Sequence, residues 1–294
     1  MEWRFPQLLG LKTQQPRSAR EVFGRSSDSR WLKILKRSVR EPVIDGVHLP
    51  RFPPAELQRV TVGSAHEQAL GEAFKFYTHV KDVCARHGAP LGAGSEILDF
   101  GVSWGRIIRF FIKDVDAESL HGVDTCAEFL GAARETGVPG QLHQIGPFGQ
   151  LPYPDCSFDL VYAYSVFTHL PEHVQDHWLA EIARTLKPRG LLVATVEPPR
   201  FLEFFTGLDP RDERLNPWQV AMARKVQDAP HLKARLATHG FVYIPDRDGI
   251  DEVYGDCVMT PAYFAEHWGQ YLEPLEFLDD PKRFWQAVVV VRKR

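Results

Sequence analysis

Ile97-Leu-Asp-Phe-Gly-Val-Ser-Trp-Gly-Arg106 has the shape of a strand that stops, turns tightly and feeds a helix. Glu96–Phe100 reads as the buried strand and Ile107–Ile112 as the apolar face of the helix that follows. Gly101 and Gly105 lack side chains, which permits the turn and lets a ligand approach the backbone. Asp99 sets a negative group just before the turn, suited to a cationic amino-acid moiety. Asp124 ends the next short strand, Leu120–Asp124, about 25 residues on. At that separation an acidic side chain meets a ribose hydroxyl pair in Rossmann-type sites, beyond the carboxyl ends of the strands.

Outward from this segment the chain alternates. A helix over Ala127–Arg134 and a strand over Phe158–Ala163 come next. His173–Leu186 is a helix whose Val174, Trp178, Ile182 and Leu186 recur every four residues, with Lys187-Pro-Arg-Gly190 as its stop and Leu191–Val196 as a further strand. Short apolar strands separated by amphipathic helices predict an α/β fold: a mostly parallel, seven-stranded sheet with helices on both faces. Near the C-terminus, Thr260 caps a helix with Pro261 at its first position, running to Trp268. Tyr271–Leu278 and Gln286–Arg292 form an antiparallel hairpin at the sheet edge.

Three regions result. Residues 1–90 form an N-terminal arm, Arg- and Pro-rich with short helices and little periodicity to about residue 60, then helical from Ser64 to His87. Residues 91–197 and 260–294 form the core. Residues 198–259, with helices at Trp218–Gln227 and Leu232–His239, form a lid over the active face.

Composition narrows the function. The chain has 294 residues, 44% hydrophobic and 25% charged, with net charge −3, in the ordinary globular range. A nucleic-acid binder would show a basic field, so neither DNA nor RNA is expected as partner. The four cysteines (Cys84, Cys126, Cys156, Cys257) include no Cys-x-x-Cys pair, so no metal site and no disulfide framework is expected. The N-terminus lacks a signal-peptide core, and no stretch approaches the ~20 apolar residues of a membrane span. The expected setting is the cytoplasm, with no membrane partner, and a homodimer stays open.

The motif resembles that of class I S-adenosylmethionine (SAM) dependent methyltransferases, an acidic residue, any residue, then Gly-x-Gly-x-Gly; here it reads Asp99-Phe-Gly101-Val-Ser103-Trp-Gly105. The family's later signature, Leu-Pro before a Phe-Asp-Leu-Val strand, matches Leu151-Pro152 and Phe158-Asp-Leu-Val161, continuing as Tyr164-Ser-Val-Phe-Thr-His-Leu170. The resemblance covers roughly residues 96–196. It implies SAM as cofactor and S-adenosylhomocysteine (SAH) as product. Asp99, Gly101, Ser103, Trp104 and Gly105 would surround the methionine part, Asp124 and Thr125 the ribose, and Tyr164 and Ser165 the transferring methyl. Two departures stand out. Ser103 replaces the middle Gly. Gln144-Ile-Gly-Pro-Phe-Gly149 lacks the acidic residue that often meets the adenine, leaving backbone groups and Phe148 for that contact.

SAM carries its own electrophile, so such a protein must align a nucleophile and exclude water. A hydroxyl or protonated amine also needs a base. His169 is the candidate, with Tyr164 beside it; His231, His239 and His267 are rivals. Phe201, Tyr243 and Tyr254 are the candidate substrate contacts in an aromatic-rich lid that also holds Phe204, Phe205, Trp218 and Phe241, with Asp256 nearby. No Asn- or Asp-Pro-Pro-Tyr, no Pro-Cys and no catechol-type magnesium carboxylates are present. The expected reaction is methyl transfer to an O or N atom of a small molecule, a sugar or a secondary metabolite.

Two other readings exist. Gly101-Val-Ser-Trp-Gly105 also fits a G-x-S-x-G nucleophile elbow, with Ser103 as a serine-hydrolase nucleophile and Asp251 and His267 as partners; the upstream chain lacks the strands and oxyanion loop that it needs. A catalytically silent, methyltransferase-like binding protein is the second. A nicotinamide dehydrogenase is disfavoured because the third Gly of G-x-G-x-x-G falls on Arg106.

Overall fold

The structure, a computed structural model, describes residues 17–227, 230–246 and 253–294. The chain opens with α1 (Ala19–Phe23), α2 (Asp28–Ser38), a small hairpin β1 (Val43–Ile44) and β2 (Val47–His48), then α3 (Ala55–Val62) and α4 (His66–Arg86). The alternating region follows: β3 (Ile97–Phe100), α5 (Ile108–Phe111), β4 (Leu120–Asp124), α6 (Ala127–Glu135), β5 (Gln141–Gln144), β6 (Phe158–Ala163), α7 (Glu172–Thr185) and β7 (Leu186–Val196). An insertion carries α8 (Arg200–Gly207), α9 (Pro217–Gln227), α10 (His231–His239) and the hairpin β8 (Phe241–Pro245) and β9 (Gly255–Met259). The chain closes with α11 (Pro261–His267), β10 (Glu273–Leu278) and β11 (Ala287–Arg292).

Seven strands form the central sheet in the order β10-β11-β7-β6-β3-β4-β5. β7, β6, β3, β4 and β5 run parallel, and β11 and β10 add antiparallel at one edge. Successive strand residues point to opposite faces, and both faces are covered. Ile97, Leu120, Leu160 and Tyr162 pack with α2, α4, α5 and α6, while Leu98, Phe100, Val161 and Ala163 pack with α7 and α11. This is the expected doubly covered sheet with its terminal hairpin.

Some local expectations change. The short helices expected in the Arg- and Pro-rich start are α1, α2 and α3, and they are less peripheral than an arm. In α2, Trp31 and Leu35 lie one turn apart and are buried in the same cluster as the sheet, and the Trp31 indole donates to the Phe110 carbonyl at 2.9 Å. A Trp side chain so enclosed stabilises by roughly 2–3 kcal/mol. Its helical spacing was masked by the surrounding Lys and Arg residues. Lys187-Pro-Arg-Gly190 does not separate helix from strand, because β7 begins at Leu186 and passes through it. There the backbone pairs with the C-terminal end, Arg189 N–H to Lys293 O at 3.0 Å and Lys293 N–H to Gly190 O at 2.9 Å, and the parallel register with β6 shifts between Phe158 and Leu160. α5 is a single turn, since the chain from Gly101 to Ile107 is spent on the loop.

The insertion has its own apolar core, with Phe201, Leu202, Phe205, Met222, Val226 and Leu232 among its members. It is stitched to the sheet through β9. Cys257 N–H donates to Thr168 O at 2.8 Å, Gly255 N–H to His169 O at 3.0 Å, and Met259 N–H to Glu197 O at 3.0 Å. Those three bonds bring the segment after β6 and the end of β7 against one edge of the insertion. Among the described residues no helix is long and apolar enough to cross a membrane.

Candidate active site

A cavity of about 1080 Å³ lies beyond the carboxyl ends of β3, β4 and β6, bounded by α3 on one side and the insertion on the other. Pockets for a single drug-sized ligand run to about 300–1,000 Å³, so two molecules have room here.

The loop after β3 forms one wall. Gly101 has φ 91° and Gly105 φ 78°, values that residues with side chains rarely adopt. A Cβ on Gly101 would overlap the Val166 Cγ2 methyl, and one on Gly105 would lie 2.6 Å from both Val138 methyls. The turn itself and the packing of the chain against the loop require these glycines. Ser103 has φ 50°, and its Oγ is buried without a hydrogen-bond partner among the described residues.

Asp124 fastens this loop. Its Oδ2 accepts the Ser103 N–H and its Oδ1 the Cys126 N–H, both at 2.8 Å. Burial raises its carboxyl above the usual range, against the pull of those N–H groups. Each oxygen keeps acceptor capacity for further hydroxyl donors. Asp99 is 2% exposed and its Oδ2 accepts the Tyr162 hydroxyl at 2.7 Å. Burial, with the Asp124 charge adding to it, pushes Asp99 up to about 7, while Tyr162 and Arg106 oppose the rise. A cation bound alongside would restore its charge. Trp104 is fully buried and its indole donates to Thr61 Oγ1 at 3.0 Å, tying the loop to α3. Thr125 lines the cavity beside Asp124.

A second wall comes from the segment after β6. The Tyr164 ring meets Phe76 at 4.9 Å and lies under the Arg106 guanidinium at 5.1 Å. Burial pushes its hydroxyl up to about 12, so Tyr164 keeps its proton. Ser165 N–H donates to Thr195 Oγ1 at 2.7 Å, and Ser165 Oγ accepts from Gln286 Nε2 at 2.9 Å. His169 also lines the cavity. Its Nδ1 lies 2.8 Å from the Gly255 carbonyl, which can only accept, so Nδ1 carries the proton and Nε2 the lone pair. Asp256 Oδ1 is 3.5 Å from the same Nδ1, and the ring stacks on Tyr254 at 4.9 Å.

The candidates divide spatially. Asp99, Gly101, Ser103, Trp104, Asp124, Thr125, Tyr164, Ser165, His169 and Tyr254 share the cavity wall. Phe148 is 45% exposed and stacks on His173 at 5.9 Å, away from the lining, where Ile145 and Pro147 stand instead. Phe201 belongs to the core of the insertion, and Tyr243 packs on the sheet-side cluster; neither lines the cavity. His231 and His239 are exposed on α10. His267 is bound to Asp176 at 2.6 Å and stacked on Tyr263, away from Ser103, while Asp251 lies outside the described residues. The hydrolase reading thus lacks its histidine. Sequence reasoning passed over Arg106, Trp285 and Gln286 as lining residues, and Glu197 behind them. Trp285-Gln286 immediately precedes β11, the one hint available.

Residues 98–194 match the methyltransferase domain family model. The match runs from β3 into β7, about a third of the chain. Among curated relatives, a probable S-adenosylmethionine-dependent methyltransferase of Mycolicibacterium smegmatis is 29% identical, over 66% of this chain and 67% of its own length. The sterol 24-C-methyltransferase erg6 of Aspergillus fumigatus is 31% identical over 36% of this chain and 28% of its own. The 2-methyl-6-phytyl-1,4-hydroquinone methyltransferase of Synechocystis is 25% identical over 64% and 58%. The match to the sterol enzyme spans under a third of that relative. Among solved structures, the magnesium protoporphyrin IX methyltransferase of Synechocystis aligns with TM-score 0.48 and 12% identity, covering 94% of this chain and 98% of that one. The residues around the loop of the methyltransferase domain fit SAM. Two carboxyl groups stand at or near the ends of adjacent strands, one beside the loop and one with acceptor capacity to spare, and Phe129, Ile145 and Trp178 add apolar lining to the same cavity.

Proposed function

We propose that this protein transfers the methyl group of SAM to an O or N atom of a small molecule, with His169 as the base. SAM supplies an electrophilic sulfonium methyl, which leaves alignment, dehydration and proton removal to the protein. Asp124 is the ribose contact, and Asp99 holds the amino-acid end by its charge. The reading rests on one observation above others: His169 lines the cavity and is held through Nδ1–H to the Gly255 carbonyl, which leaves Nε2 as the ring nitrogen able to accept a proton. Tyr164, which retains its proton, serves as a donor and a wall.

Residues 198–259 act as the lid, and the acceptor molecule sits beneath it. Phe204, Trp218, Tyr254 and Trp285 are 38–50% exposed and all line the cavity. That much aromatic surface favours an apolar secondary metabolite over a sugar. The sterol and hydroquinone methyltransferases among the relatives support such an acceptor. Neither a nucleic acid nor a membrane has a part in this reading, the cytoplasm suits it, and a homodimer is compatible with it. The test is methyl transfer from labelled SAM to a library of phenols, amines and isoprenoid alcohols. Product from wild-type protein, lost in His169→Gln, supports the proposal. SAH binding without product from any member would favour the silent binding protein.

A further inference from the structure

Arg109, in the single turn of α5, is fully buried, and no carboxylate among the described residues pairs with it. Burial pulls its guanidinium down to about 9, which leaves it charged at neutral pH. A lone cation in the interior is costly, and one of its nitrogens, Nη2, has no hydrogen-bond partner among the described residues. Backbone and rings stand in for the missing acid. Nε donates to the Gly105 carbonyl at 2.9 Å, and Nη1 to the Pro50 and Arg51 carbonyls, both at 3.3 Å. The guanidinium lies 4.2 Å from the Phe52 ring and 5.1 Å from the Trp104 ring. One side chain thus joins the glycine loop to residues 50–52 of the N-terminal region.

We propose that Arg109 is a positioning residue that clasps the N-terminal segment 50–62 to the glycine loop and so completes one wall of the SAM pocket. The route runs through stiff links. Pro53 and Pro54 follow Phe52 directly, and with their fixed φ they carry the direction set at residues 50–52 into α3. α3 brings Val60, Thr61 and Val62 to the cavity wall. Its far end is tied back to the same loop, since the Trp104 indole donates to Thr61 Oγ1 at 3.0 Å. On the loop side, Gly105, whose carbonyl accepts from Arg109, stands between Trp104 and Arg106, two lining residues. Glycine has wide backbone freedom, and a fixed carbonyl restricts it. The SAM part of this role rests on the methyl-transfer reading of the same cavity.

Apolar packing alone does not call for an arginine here. An apolar side chain of similar length would fill the volume without a buried charge, and such replacements are often neutral or stabilising. It could not hold three carbonyls from two segments with one planar fork. Residue 51 has a second anchor at the end of α6: its N–H donates to Thr136 O at 2.8 Å and its Nη2 to Glu135 O at 3.0 Å. Loss of the Arg109 side chain therefore frees the face toward the loop and leaves the segment attached behind.

The experiment compares wild type with Arg109→Met in the full chain, well below the melting temperature. The readings are SAH calorimetry and hydrogen exchange of the peptide that spans residues 49–64. SAH affinity should fall roughly three- to thirty-fold. In the ligand-free variant that peptide should exchange faster than in wild type, while peptides from β6 and β7 exchange alike. A structural role alone would lower the melting temperature and leave both readings in place, so unchanged SAH affinity or unchanged exchange of the peptide overturns the proposal. Phe52→Leu supplies a second variant. It keeps an apolar side chain outside the cavity lining and removes the ring on which the guanidinium rests. A smaller loss of the same kind is expected. If Arg109→Met does not fold, Phe52→Leu decides, and wild-type values for both readings overturn the proposal. If SAH fails to bind wild type, the methyltransferase reading falls, while exchange of the peptide still decides whether Arg109 holds the segment.

Discussion

Substituting Gly101 by Ala tests the glycine loop by two separable effects. At φ 91° a Cβ-bearing residue is strained by about 1–3 kcal/mol. The new methyl also overlaps Val166 Cγ2, and forcing a methyl into a packed site costs about 1–3 kcal/mol more. The expected loss is therefore about 2–6 kcal/mol, a large part of the 5–15 kcal/mol total stability of an ordinary domain. Urea unfolding of Gly101→Ala, Val166→Ala and the pair forms a double-mutant cycle. Val166→Ala removes the overlap and leaves the backbone strain, so a favourable coupling of about 1–3 kcal/mol should appear, with the double variant still less stable than Val166→Ala alone. Gly101→Ala unfolding at the wild-type midpoint, or additive single losses, would refute the argument that packing against Val166 dictates this glycine.

Other consequences concern the ligand. Asp124→Ala should weaken SAH binding by about 1–3 kcal/mol, and unchanged affinity in calorimetry would remove its ribose role. His169→Gln should lower turnover by about 10²–10⁴ with SAH affinity preserved; full turnover would make His169 a packing residue. Asp99 stands near 7 and is neutral below that. If its charged form holds the SAH ammonium, affinity should rise about tenfold from pH 6 to pH 8, and a flat profile in wild type would exclude that contact.

Much of the fold was legible because parallel strands are short, apolar and bounded by helical periodicity. Leu120–Asp124 and Phe158–Ala163 have the bounds expected of them. β5 was hard to see because it is a polar edge strand in which only Leu142 is buried. α2 hid its one apolar face among basic residues. The glycine loop and the two aspartates announced themselves by spacing, since local turn geometry restricts residue type. The tautomer of His169 depends on Gly255, 86 residues away. The raised carboxyl of Glu197 depends on burial and on Asp256 from the insertion. Such pairings come from tertiary contacts that leave no periodic trace.

The most direct measurement is titration calorimetry of SAH into the wild-type chain, run at two temperatures so that a vanishing enthalpy at one cannot hide binding. Saturable one-to-one heat, weakened in Asp124→Ala, is the expected result. Absence of heat at both temperatures, from protein that melts cooperatively, would contradict a SAM site at the ends of β3 and β4.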